Sequence, residues 1–74
     1  MVQYVGVIKL KGRNESVEGT TINCIMEKAR SRVKALGEVP SNVLTDIYEV
    51  TESFRSMGLV YRAYLDGRVE YAKT

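Results

Sequence analysis

The chain has no histidine, a single cysteine and no long apolar run, and each scarcity removes a class of function. Without an imidazole, a general base working near neutral pH has to be a carboxylate or a lysine with a strongly shifted pKa, and nothing in the sequence marks one. Cys24 has no second thiol to pair with, which closes the disulfide route to stability and fits a reducing cytosol. It lies on the polar side of an apolar stripe with no histidine to activate it, so it reads as a structural thiol rather than a nucleophile. A lone thiol among scattered Asp and Glu offers no second soft ligand, and no metal site is expected. The stretch "GRNESVEG" (12–19) has glycines but neither a glycine-rich phosphate cradle nor a Lys-Ser/Thr pair, and reads as a turn. Apolar runs are only a few residues long, and "MVQYVGVIKLKG" lacks a charged start followed by an apolar block. Neither a membrane span nor a signal peptide is therefore expected. These exclusions point to a cytoplasmic protein without catalytic activity or cofactor.

What is present is an ordinary globular composition, 45% hydrophobic and 27% charged over 74 residues, which is one domain (1–74) at most. A core this small leaves the folded state marginal unless it is stapled or oligomeric, so a homodimer is a live expectation. Neither internal repeats nor low-complexity segments occur.

Residues 3–11 alternate, with Tyr4, Gly6, Ile8 and Leu10 on one face and Val5, Val7, Lys9 and Lys11 on the other, the pattern of a strand. "GRNES" then breaks it. From about Thr20, Ile22, Ile25, Met26, Ala29, Val33 and Leu36 recur at three- and four-residue spacing, which predicts a helix capped at Gly37. After "EVP", Ser41 or Asn42 suits an N-cap, and Val43, Leu44, Ile47, Val50, Phe54 and Met57 fall on one helical arc ending at Gly58. The β-branched residues there argue for a strand; the periodicity favours a second helix over 42–57, with Val43, Ile47, Val50 and Phe54 buried. The last segment, "LVYRAYLDGRVEY" (59–71), reads as a hairpin turning on Asp66-Gly67 in a type I′ turn. The expected fold is a small two-layer α+β domain, β-α-α-β-β, with a three-stranded antiparallel sheet and two helices on one face.

In that hairpin Tyr64 faces Val69 and Arg62 faces Tyr71, and Leu59, Tyr61, Ala63 and Leu65 make the better helix-facing set. Val60, Arg62, Tyr64, Val69 and Tyr71 are then left outside, beside Val5, Val7, Lys9 and Lys11. Such a half-apolar, half-basic surface calls for a partner, and Val60, Tyr64, Val69 and Tyr71 are its candidate interface residues.

Eleven basic and nine acidic residues leave a net charge of +2, weak on its own as a nucleic-acid signal. The distribution is more pointed. The first helix carries Lys28, Arg30, Arg32 and Lys34 against Glu27 alone, and the first strand and its exit add Lys9, Lys11 and Arg13. The second helix presents Asp46, Glu49 and Glu52. Solvated charged faces are the ordinary meaning of such patterns.

Residues 54–73, "FRSMGLVYRAYLDGRVEYAK", resemble the end of a winged helix-turn-helix domain, where a recognition helix runs through "GLV" into a strand, a wing and a return strand. The resemblance implies DNA binding. With Asp46 and Glu49 unfavourable to phosphate on the helix, it carries over onto the wing through Arg62 and Arg68. "VIKLKG" followed by a helix, "LG" and a capped second helix resembles a ribbon-helix-helix repressor, which implies a dimer with Lys9, Lys11 and Arg13 facing a groove and a phosphate at Ser41-Asn42. "VIKLKG" and "EKARSRVKAL" also resemble dodecin, but that family has a long strand where the second helix is read, and this chain has no tryptophan for its flavin site.

Two classes of function follow. The first is a small DNA-binding, transcription-regulator-like dimer, with DNA a better partner than RNA. It uses Lys9, Lys11, Arg13, Arg62 and Arg68, with Lys28 and Arg32 as outer phosphate contacts. The second is a protein-interaction module, an inhibitor or adaptor, that docks through its open sheet face on another protein or on itself.

Overall fold

The computed structural model describes residues 3–50 and 57–73. Five strands form one antiparallel sheet: β1 (Gln3–Leu10), β2 (Arg13–Gly19), β3 (Leu44–Val50), β4 (Met57–Tyr64) and β5 (Val69–Ala72), in spatial order β2-β1-β3-β4-β5. A single helix, α1 (Ile22–Ala35), crosses one face, and a short 3-10 turn, Pro40–Asn42, leads into β3. The architecture is α+β, but the expected three-stranded sheet with two helices is wrong: among the described residues there are five strands and one helix.

The second correction explains the first. Residues 44–50, expected in a second helix, form the central strand of the sheet, paired to β1 on one side and β4 on the other. Thr45, Asp46 and Ile47 are all fully buried. A central strand buried on successive residues loses the clean alternation that marks a half-exposed strand, and what survived in "VLTDIYEV" mimicked a helical arc. Its β-branched and aromatic residues, Val43, Thr45, Ile47, Tyr48 and Val50, held the true signal. Val43, Ile47 and Val50 are buried as expected; Phe54 lies outside the described residues. "RNESVEG", read as a turn, is the edge strand β2; the two residues Lys11-Gly12 alone make the turn.

The first helix matches its expected stripe, with Ile25, Met26, Ala29 and Val33 buried; Leu36, placed on that stripe, is exposed just past its end. Thr21 caps the start, its hydroxyl accepting from the Cys24 N–H at 3.0 Å. At the far end Gly37 takes φ +77, its N–H reaching the Lys34 carbonyl at 3.0 Å and that of Glu38 the Val33 carbonyl at 3.1 Å. This paired closure needs a left-handed residue, which glycine supplies without strain.

Helix and sheet meet at Gly6. It is buried opposite Val17 and Ile47, and a Cβ there would overlap Cγ2 of Ile25. The missing side chain lets Ile25 rest on the sheet among Ile8, Met26, Ala29, Val33, Val43, Ile47, Val60, Ala63 and Leu65. Arg30 ties the helix to the β4–β5 loop, its Nε donating to the Leu65 carbonyl at 2.9 Å.

The C-terminal hairpin turns on three residues rather than two. Tyr64 donates to the Arg68 carbonyl at 2.9 Å and Gly67, at φ +104, donates to the Tyr64 carbonyl at 3.1 Å, so Leu65, Asp66 and Gly67 form the loop. Arg62 still faces Tyr71, but Val69 faces Ala63 and not Tyr64. A bulge where β4 passes Ile47 and Tyr48 gives β4 one extra residue and reverses the alternation beyond it. Leu59, assigned to the helix side, therefore pairs with Tyr48, and Val60, assigned outside, is buried in the core.

Replacing Gly6 with alanine is expected to destabilise the protein by about 1–3 kcal/mol, the usual cost of overpacking a tight contact. Gly58→Ala is the control, because its Cβ meets nothing within 4 Å. Urea denaturation of both variants checks this; a Gly6→Ala protein as stable as its parent would contradict the packing.

Candidate functional site

Paired residues on neighbouring antiparallel strands point to the same side, so the register defines the face that α1 leaves open. One row runs Asn14, Lys9, Leu44, Tyr64; the next Ser16, Val7, Asp46, Arg62, Tyr71; the third Glu18, Val5, Tyr48, Leu59. Val5, Val7, Leu44, Tyr48, Leu59 and Tyr64 are half-buried and Tyr71 is 44% exposed. Four aliphatic and three tyrosine side chains thus share one side of the sheet, and among the described residues no helix lies across them.

At the centre sits an ion cluster. The Asp46 carboxylate accepts from Arg62 Nε at 2.6 Å and Nη2 at 3.0 Å, with Lys9 Nζ 3.2 Å from Oδ2. The two-point fork is the strongest geometry available to such a pair. Asp46 is 0% exposed while both cations keep about two-fifths of their side-chain surface, at 38% for Arg62 and 45% for Lys9. The Arg62 hydrogen bonds hold the Asp46 carboxyl below its ordinary range, with Lys9 adding to them and burial opposing. Arg62 is pushed up in turn, chiefly by the same hydrogen bond. Two cations share this one anion in the middle of an apolar field, with the Glu70 carboxylate a further negative charge acting on Arg62.

The other basic residues proposed for phosphate are dispersed, and most are engaged within the chain. Arg13 and Arg32 both reach Glu15, at 3.2 and 3.5 Å. Lys28 donates to the Glu18 carbonyl at 2.6 Å. Arg68 holds Asp66 at 2.9 Å and the Ser41 carbonyl at 2.7 Å, and lies 4.4 Å over the Tyr64 ring; its bonds, backbone first, keep the Asp66 carboxyl below its ordinary range. Lys11 lies in the β1–β2 turn. Of the basic residues, Lys9 and Arg62 come together on the open face, Arg68 lies over Tyr64 at its rim, and Lys28 and Arg32 belong to the helix side. Of the four interface candidates, Tyr64 and Tyr71 are on the open face. Val60 is in the core, and Val69, 52% exposed, pairs with Ala63 on the helix side.

Leu44, Asp46, Tyr48 and Leu59 complete the face and were missed. The first three are alternate residues of one strand, so the signal existed at a period of two. Leu59 was hidden by the bulge.

Among the described residues no group of three or more Cys, Asp or Glu is placed to hold a metal, and no helix is long and apolar enough to cross a membrane. No protein-family model, curated protein or solved structure matches the chain. The winged-helix and ribbon-helix-helix resemblances have no such support, and the second helix that both require is strand β3.

Because the folded Asp46 carboxyl titrates below its unfolded value of about 3.9, the cluster's contribution to stability is complete above that pH and is lost as pH falls through the folded value. Asp46→Asn is therefore expected to be less stable than the parent at pH 7, with the gap closing as pH falls below about 4. Urea denaturation across a pH series reads this; a gap that stays constant to the lowest pH would show that the carboxylate is not the stabilising group.

Proposed function

We propose that the chain is a non-catalytic docking module whose open sheet face receives a partner protein. The observation that carries this reading is the face itself: Val5, Val7, Leu44, Tyr48, Leu59, Tyr64 and Tyr71 lie around a charge cluster, and among the described residues no helix lies over them. Contiguous apolar surface with tyrosines is characteristic of protein interfaces. The two cations Lys9 and Arg62 around Asp46 favour a complement that is apolar with an acidic group near its middle. A second copy stacked face to face through the same centre would oppose these cations to each other.

Nucleic acid fits the surface less well. Binding a phosphate backbone needs several cations along one track, whereas here Lys9 and Arg62 are already bonded to Asp46, Lys11 and Arg68 lie at turns, and Arg13, Lys28 and Arg32 lie toward the helix side. Four aliphatic side chains among three tyrosines also make a poor stacking platform.

The test is site-specific photocrosslinking in living cells, with the reactive amino acid at Tyr64 or Tyr71 and, as control, at exposed Glu38. Protein adducts at the two open-face positions and none at the control are expected. Adducts to nucleic acid, or none from either tyrosine position, would overturn the reading. In solution, no oligonucleotide binding is expected even at low salt, where any phosphate-driven association is strongest.

A further inference from the structure

The strand order leaves β2 and β5 as edges. β5 has four residues and β2 has seven. Around the two-residue Lys11-Gly12 turn the flanking pair Leu10–Arg13 is the hydrogen-bonded one, so Ile8–Glu15, Gly6–Val17 and Tyr4–Gly19 are bonded as well. The same alternation turns the backbone N–H and C=O groups of Asn14, Ser16 and Glu18 outward from the sheet. The Lys28 bond to the Glu18 carbonyl, at 2.6 Å from outside the ladder, agrees with that direction and occupies one lone pair. Among the described residues no strand lies beyond β2.

Helix α1 overhangs this edge. A 580 Å³ groove separates them, lined by Val17, Glu27, Lys28, Ser31, Arg32 and Ala35. The bond from Lys28 to Glu18 and the Arg32–Glu15 ion pair fix the alignment: the helix runs antiparallel to β2, with Ser31 beside Ser16. α1 also packs equally on β1 and β2, so its axis lies over the gap between them.

We propose that two copies of the chain join through β2, in an antiparallel β2–β2 ladder centred on Ser16. Asn14 pairs with Glu18 of the other copy, and the outward groups of residues 14, 16 and 18 are satisfied in register. With strands about 4.8 Å apart, two helices each over a β1–β2 gap come to lie with their axes about 10 Å apart, at the upper end of the range of packed helices. Small Ser31 and Ala35 stand at the contact. About a two-fold at Ser31, Lys34 of each helix comes level with Lys28 of the other and one residue from its Glu27, so Glu27 offsets a contact that is otherwise between cations. The result is a ten-stranded sheet with both helices on one side and both open faces on the other. The inference does not depend on the docking function.

Sedimentation velocity over a micromolar concentration series tests it. The parent is expected to dimerise. Ser16→Pro is expected to be monomeric with an unchanged circular dichroism spectrum, since an edge strand tolerates proline where its N–H points outward. Glu27→Lys is expected to weaken the dimer about tenfold, equivalent to about 1.4 kcal/mol, and the double variant Glu27→Lys with Lys34→Glu to restore it, a readout that stands even if Ser16→Pro misfolds. A parent that stays monomeric overturns the proposal. So does a dimer that survives Ser16→Pro but is lost in Tyr71→Asp, which would place self-association on the open face, or a monomer whose β2 edge captures an acidic peptide instead.

Discussion

Among the described residues one helix serves a five-stranded sheet, and most of the structure follows from that imbalance. Fourteen residues of α1 can cover one face only, and they do so where Gly6 lets Ile25 settle onto β1. The apolar side chains on that side, Ile8, Ile47, Ala63 and Leu65, are buried by it. On the other side no second layer lies among the described residues, although Val50, which the register places there, is itself buried. A two-layer domain of this size has little core to spare, so each helix–sheet contact carries a large share of the stability. The exposed face is what remains for recognition.

The centre of that face resolves an apparent contradiction. Asp46 is fully buried in the ladder although among the described residues no element lies across it; the charged ends of Arg62 and Lys9 satisfy its oxygens. A carboxylate among Val7, Leu44 and Tyr48 would be costly alone. With two cations it becomes a polar anchor in an apolar surface, which limits the register in which a partner can dock. Whether such a cluster adds net stability depends on its hydrogen bonds being complete, and the fork from Arg62 meets that condition.

Much of this was legible before folding was considered. The first strand, the helix stripe from Ile25 to Val33 and its Gly37 closure could all be read from local patterns, because each is set by neighbours a few residues apart; the expected Arg62–Tyr71 pairing rests on a two-residue turn that does not form, and a register shift between Arg62 and Ala63 restores it. The failures have a common cause in long-range context. Residues 44–50 are buried because β1 and β4 flank them, which no local period reports. β2 reads as a turn because an edge strand can be polar along its length. Val60 and Leu59 exchange faces through a bulge that depends on the partner strand. The charged residues mislead in the same way: Lys9 and Asp46 are far apart in sequence, and only their pairing across β1 and β3 shows that one neutralises much of the other.

The central claim is that one side of the sheet is a packed core and the other lies open, with Asp46 at its middle. Methyl resonances in the presence of a soluble paramagnetic gadolinium chelate measure this directly. The account requires strong broadening of Val5, Val7, Leu44 and Leu59, with Ile8, Ile25 and Ile47 protected. Equal protection of both sets would mean that the face is covered in the isolated protein, and broadening of Ile47 would mean that the central strand does not pack as described.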